Sequence, residues 1–336
     1  MRLAPAAFAR CIVYATVGSH YKSGEFDNMQ DSGDLSILDR SLLDRISHYG
    51  GEFMAAQPFP HVVIDNFFEA DFARALLDAF PSFERGNSVG DDGGPGGKST
   101  MDRLRELGPA YERLDDAVKS RRFLQLIGDI TGIPELLYDP WYLGGGTHEN
   151  RDGMSLDAHV DFNYHPSERW HRRLNLIVYL NPEWEDAWGG NLELFRDPTV
   201  DVRPARSVVP IFNRCVVFET SERSWHAFDR IHLPERHRQL TRRSIALYFY
   251  TKSRPESETV ARHTTLYVNR PLPEKFVDGH VLSRADTADI KQLLEVRDAH
   301  IRRLYAENTE LRSAQDKGLA GNLLYLAKRA YVRFRR

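Results

Sequence analysis

The sequence predicts an α+β fold, mainly β: an antiparallel barrel or jelly-roll core with N-terminal helices packed on one sheet and a C-terminal helical extension. Three observations predict it. Helical periodicity marks residues 35–131, short β-rich runs parted by Gly, Pro and Asn fill 138–252, and a long charged helical pattern starts at 286. At 336 residues, 41% of them hydrophobic, the chain can bury one good core with tails. The expected organisation is a leader at 1–34, one domain at 35–285 and an extension at 286–336.

Residues 1–34 lack sustained periodicity and read as a mobile leader; Met1–Val17, interrupted by Arg10, Tyr14 and Thr16, makes a poor signal peptide. Leu35, Leu38, Leu42, Leu43 and Ile46 recur at helical spacing, which predicts a helix to Tyr49. In PFPHVVIDNFF a strand, His61–Ile64, runs into a helix begun by Glu69 or Asp71, with Phe72, Leu76, Leu77 and Phe80 facing the core. The stretch from Gly86 to Lys98 holds six glycines without a P-loop arrangement and reads as a flexible loop. Helices follow at Ala110–Lys119 and Arg122–Thr131, the second stopped by Gly132 and Pro134.

Seven strands are expected next: Trp141–Leu143, Ser155–Val160, Arg173–Leu180, Asn191–Phe195, Val208–Ile211, Cys215–Glu219 and Arg242–Thr251. From Asp286 to about Ala314 a charged helix places Ile290, Leu304 and Leu311 at one heptad position and Leu294 and Ile301 at another. Arg297 and Asn308 interrupt that seam, so homodimerisation and packing on the chain's own domain are both open. Lys317–Arg336 is basic and amphipathic, suited either to weak contact with an anionic membrane surface or to an ordinary surface helix.

Net charge of -3 and a pI near 6.5 supply no field that would draw nucleic acid. No run of about eighteen apolar residues suggests a membrane span. Cys11 and Cys215 are too few for a disulfide framework, so a cytoplasmic, reducing location is expected, with Cys215 a small buried hydrophobe.

The sharpest chemical feature is His159-Val160-Asp161. Side chains two apart on an extended backbone point the same way, so an imidazole and a carboxylate can meet one cation. With 13 histidines in the chain, roughly one such pair is expected by chance, and context must add to it. His226, after the apolar strand Cys215–Phe218 and a polar turn, is the candidate third ligand. Two histidines and a carboxylate leave three positions open and suit Fe(II) oxygen chemistry. An arginine fork suits a carboxylate. Strand parity places Arg242, Ser244 and Ala246 on one face and Arg243, Ile245, Leu247 and Phe249 on the other, so Arg242 beside Ser244 is the candidate anion seat.

The order H-x-D, NLIVYLN, GGNLEL, a distant H, then R-x-S closely resembles the prolyl 4-hydroxylase-like branch of the Fe(II)/2-oxoglutarate dioxygenases, over about Pro58 to Arg270. The resemblance implies a double-stranded β-helix with Fe(II) at its mouth held by His159, Asp161 and His226. It also implies 2-oxoglutarate as co-substrate, O2, and ascorbate as a stimulant. Tyr179 would donate to the distal carboxylate of 2-oxoglutarate, with Asn175 nearby on the same face and Arg242 and Ser244 completing the grip. The implied reaction hydroxylates an unactivated C–H bond of a peptidyl, amino-acid or biosynthetic substrate and releases succinate and CO2. The spacing from His226 to Arg242 is longer than that family usually shows and carries the charged insert LPERHRQ.

Two other readings use the same residues: a jelly-roll protein that captures a ligand without turnover, and a zinc hydrolase. Intact ligands argue against the first, and Arg242 with Tyr179 against the second. His148, His165 and His171 read as loop residues, mainly solvated, with substrate contact the alternative. His232 and His237 read as surface residues. Trp141, Trp184, Trp188 and Trp225 read as core or rim, with a substrate platform as the alternative.

Overall fold

A computed structural model of the chain describes residues 35–89, 95–201, 203–268, 272–273 and 275–316. The expected leader and basic tail lie outside the described residues.

The N-terminal helical region is more broken than periodicity predicts. A 3-10 turn at Leu35–Ile37 precedes α1 (Arg40–Asp44), whose N-cap Asp39 accepts from the Ser41 amide, and α2 (Ile46–Ala55). After β1 (His61–Ile64), Glu69 caps α3 (Ala70–Asp78) by accepting from the amides of Asp71 and Phe72. Next come β2 (Asn87–Val89), β3 (Pro95–Met101), α4 (Pro109–Val118) and α5 (Arg121–Thr131). Ser120 caps α5 at its start, and Gly132, at φ +70°, ends it in the left-handed conformation glycine favours.

The β region comprises β4 (Leu137–Tyr138), β5 (Gly146–Asn150), β6 (Leu156–Val160), β7 (His171–Tyr179), β8 (Leu192–Phe195), β9 (Arg206–Val208), β10 (Cys215–Glu219), β11 (Trp225–Phe228), β12 (Arg242–Thr251) and β13 (Leu266–Val268). They form two antiparallel sheets. The larger runs β1-β10-β7-β12-β5-β3-β2, with β4 also on β12, and the smaller runs β13-β6-β11-β8-β9. This is the jelly-roll, α+β arrangement the sequence predicts. One face of the larger sheet, with Leu174, Leu176, Val178, Val217, Ile245, Leu247 and Phe249, packs under the helices in a single apolar cluster. Its other face meets the smaller sheet through Tyr179, Leu192, Leu194, Val216 and Phe218. The expected burial of Cys215 is met: it is a free thiol at 0% exposure.

Several expectations are corrected. Of the expected loop Gly86–Lys98, Asn87–Val89 and the residues from Pro95 are strand instead, β2 pairing with β3 and β3 with β5, while residues 90–94 lie outside the described residues. Trp141–Leu143 is a turn rather than a strand: the Asp139 carboxylate accepts from the amides of Trp141 and Leu143, and Tyr142 sits at φ 48°. The expected strand at Val208–Ile211 lies earlier, at Arg206–Val208, and GTHEN forms β5, which the pattern did not predict. The insert after His226 makes a 3-10 turn at Glu235–His237, with the His237 ring 4.8 Å from that of Trp188.

The C-terminal helix α6 (Arg284–Asp316) leans on the domain through an Arg230–Asp289 ion pair (2.7 Å) and a bond from Gln292 to the Gly153 carbonyl. Leu294, Ile301 and Leu304 stay exposed. No described helix is long and apolar enough to cross a membrane.

Candidate metal and co-substrate site

His159 lies near the end of β6, and Asp161 lies just past it. His226 comes from β11 and is the direct antiparallel partner of His159. Their rings are 4.2 Å apart, and one ligand atom from each of His159, Asp161 and His226 lies within 4.8 Å of the others. Among the described residues this is the group of three or more such side chains that could hold a metal ion.

The donor chemistry fits a divalent cation. Each imidazole gives its Nδ1 proton to a backbone carbonyl two residues back, His159 to Asp157 (2.8 Å) and His226 to Ser224 (2.9 Å). Those bonds fix the tautomer and leave both Nε2 atoms bare toward Asp161, at 3.9 and 3.6 Å from its oxygens. Burial, reinforced by His226, lowers the His159 pKa to about 3, and burial lowers that of His226 too. Burial would raise the Asp161 carboxyl, but Arg172 and the two histidines hold it well below the usual range. Both imidazoles are therefore neutral and the carboxylate ionised at neutral pH, the protonation a metal needs.

A second polar centre lies on β12 and β7. Arg242 is 5% exposed. It donates to the Gly190 carbonyl (2.6 Å), the Tyr179 hydroxyl (3.3 Å) and the Asn150 side chain (3.5 Å). No carboxylate among the described residues is within ion-pair distance of it; Asp229 attracts it only at longer range, and burial lowers its pKa. A buried cation without an anion costs free energy, and a carboxylate ligand would recover it. Ser244, also buried, stands between Tyr179 and His148 in the ladder. Gly190 is what admits the arginine: at φ +70°, a Cβ there would meet Arg242 Cδ at 3.1 Å and Ile231 at 2.9 Å.

The sequence-predicted residues thus gather in two clusters, one on the strands of the smaller sheet and one on β7 and β12 of the larger. His159, Asp161 and His226 form the first, and Arg242, Ser244 and Tyr179 the second. Asn175 belongs with the first. Its amide donates to Asp161 (2.7 Å) and its carbonyl accepts from Arg172, while Tyr179 lies four residues farther along β7, about 13 Å at strand rise.

Other residues of the site were not predicted. His148 is on β5, not in a loop, opposite Ser244, and burial with Lys98 pushes its pKa well down. Thr100 pairs with His148, so alternation puts Lys98 on the same face, where its charge also lowers the pKa of His159 and His226. Arg172 is buried against Asp161. His165 is fully buried, 3.4 Å from Asp139, rather than solvated. Alternation in GTHEN could have signalled His148; Lys98 was hidden by the glycines before it.

The jelly roll thus carries two histidines and a carboxylate that could hold a metal ion and, separately, a buried arginine with no carboxylate within ion-pair distance among the described residues. Residues 145–250 match the model of the 2OG-Fe(II) oxygenase superfamily. The chain is 32% identical over 112 residues to a prolyl 3-hydroxylase of Mus musculus, covering 32% of this chain and 18% of that protein, so it spans less than a fifth of that relative's length. Among solved structures it is similar to a prolyl hydroxylase of Trichoplax adhaerens in complex with a hypoxia-inducible-factor peptide (16% identity, 65% of this chain and 96% of that one, TM-score 0.45). It is also similar to HygX of Streptomyces hygroscopicus with nickel, 2-oxoglutarate and hygromycin B (14% identity, 68% and 96%, TM-score 0.40).

Proposed function

We propose that this chain is a 2-oxoglutarate-dependent hydroxylase that holds Fe(II) through Nε2 of His159, a carboxylate oxygen of Asp161 and Nε2 of His226. The observation that carries the reading is the convergence of those three ligand atoms within 4.8 Å, with both Nδ1 positions tied to backbone carbonyls.

When bound, Fe(II) with 2-oxoglutarate and O2 supplies the oxidation: 2-oxoglutarate becomes succinate and CO2, and one oxygen atom enters an unactivated C–H bond. The chain's own groups bind and orient. Arg242 forms a charge-assisted pair with the distal carboxylate of 2-oxoglutarate, and the Tyr179 and Ser244 hydroxyls donate to it. Burial of this seat excludes water and strengthens each contact. Asp161 stays ionised and the histidines neutral, so no proton need leave them when the metal arrives. The anion seat of Arg242 with Tyr179 argues against a zinc hydrolase, and the intact ligand set against a capture protein without turnover.

The substrate is a peptidyl or small-molecule C–H donor, and the prolyl 3-hydroxylase relative supports the peptidyl choice. Ascorbate would act as a reductant that restores Fe(II). The exposed Leu294, Ile301 and Leu304 of α6 support contact with a second copy of the chain, and a free buried Cys215 fits a reducing, cytoplasmic setting. The domain would run 35–285 with α6 as an extension. The test is succinate release from 2-oxoglutarate on addition of Fe(II), O2 and candidate peptides; wild-type release lost in His159→Ala supports the reading, and equal release from both proteins rejects it.

A further inference from the structure

Arg172 is 1% exposed, among the largest side chains the fold closes off completely. Burying a guanidinium is strongly unfavourable unless its charge and donors are matched, so its neighbours indicate its role. It lies between two aromatic faces, 3.7 Å from the Tyr248 ring centre and 4.4 Å from that of Phe162, which fixes its plane. Nε and Nη2 both donate to the Asn175 carbonyl oxygen, at 3.1 and 2.7 Å, and Nη2 is 3.2 Å from Asp161 Oδ2. Nη1 is buried without a hydrogen-bond partner. Its hydrogen bonds go to Asn175 and its ion pair to Asp161, so these are the groups through which it reaches the proposed metal site.

The geometry also explains how Asn175 is turned. A guanidinium has donors only, so it takes the Asn175 oxygen and leaves the amide nitrogen facing Asp161. That nitrogen donates to Oδ2 at 2.7 Å. The same carboxylate oxygen therefore accepts from Asn175 and stands in ion-pair contact with Arg172, and Oδ1 is left for a cation.

We propose that Arg172, acting with Asn175, is a positioning residue that makes Asp161 a one-oxygen metal ligand. This rests on the metal site proposed above. A carboxylate can grip a cation through one oxygen or two, and the second mode occupies a further coordination position. With Oδ2 engaged, Asp161 would take a single coordination position on a bound cation and leave the others to the co-substrates.

Co(II) alone is the probe, because its visible ligand-field spectrum reports coordination number. Wild-type protein is titrated with Co(II), then with 2-oxoglutarate, beside Arg172→Met, Arg172→Lys and Asn175→Ala, with circular dichroism to verify folding. Arg172→Met and Asn175→Ala are expected to weaken Co(II) binding roughly 10- to 100-fold, as loss of a residue supporting a ligand does. They should also change the ligand-field spectrum and blunt its response to 2-oxoglutarate. Arg172→Lys, which keeps a charge for Asp161 but not the fork on Asn175, should recover part of the affinity. If Arg172→Met does not fold, Asn175→Ala decides. Wild-type affinity and spectrum in the folded variants would overturn the role of Arg172. Failure of the wild type itself to bind Co(II) would instead overturn the metal site.

Discussion

His226 lies directly across the β6–β11 ladder from His159, with the two rings 4.2 Å apart. Residues opposed in an antiparallel pair share a face, so two histidines far apart in sequence become neighbours by strand register. A one-residue slip of β11 would turn His226 to the other face and dismantle the site. His159→Ala and Asp161→Ala are accordingly expected to abolish succinate formation while leaving the fold intact by circular dichroism. Undiminished turnover in either would remove the ligand assignment.

Arg242 is expected to govern 2-oxoglutarate affinity. Charge-assisted hydrogen bonds contribute about 1.5–3 kcal/mol, so Arg242→Ala should raise the 2-oxoglutarate KM at least about tenfold. Tyr179→Phe, which loses one neutral hydroxyl, should raise it by roughly two- to tenfold. Steady-state kinetics on 2-oxoglutarate checks both, and an unchanged KM in Arg242→Ala would move the anion seat elsewhere.

Gly190 is expected to matter through Arg242 rather than through substrate. In Gly190→Ala, a positive φ and a methyl 3.1 Å from Arg242 Cδ should together cost about 1–3 kcal/mol of stability. They should raise the KM for 2-oxoglutarate as well. A thermal melt and the same kinetics measure the two effects; a stable variant with normal KM would show that the backbone relaxes there.

The strand-rich core, the His159–Asp161 pair and the Arg242–Ser244 face were legible in the sequence because they follow from period-2 alternation, whereas Tyr179 entered only through the family resemblance. Ile245, Leu247 and Phe249 fall under the helices while Arg242 and Ser244 face inward, as parity requires. The β2–β3 hairpin was not legible: its glycines lack the side chains from which a pattern is read, and its pairing with β5 is tertiary. Arg172 was also missed, since a cation at the start of an apolar strand reads as a solvated end. Asn175 shares a face with Tyr179, but parity fixes only the face and not the position along it.

His148 should shape stability against pH. Burial with Lys98 lowers its folded pKa well below 6.5, so it stays neutral in the fold while the unfolded chain protonates near 6.5. The unfolded state then binds more protons, and stability falls as pH drops below about 6.5. Urea unfolding of the metal-free protein at pH 7.5 and 5.5 should show this loss, and His148→Gln should reduce it. An identical slope in the variant would contradict it.

Exposed Leu294 and Leu304 on α6 should carry any self-association. Light scattering of wild type and a Leu294→Glu/Leu304→Glu variant is expected to show a fall from dimer to monomer mass. A monomeric wild type would remove α6 as a dimer contact.

The most direct test of the central claim is anaerobic titration of Fe(II) and 2-oxoglutarate into the full chain, recording the weak visible charge-transfer band of the iron-bound keto acid. The account predicts that the band appears in the wild type, requires both additions, and is lost in His159→Ala. Iron demonstrably bound with no band at saturating 2-oxoglutarate would contradict it.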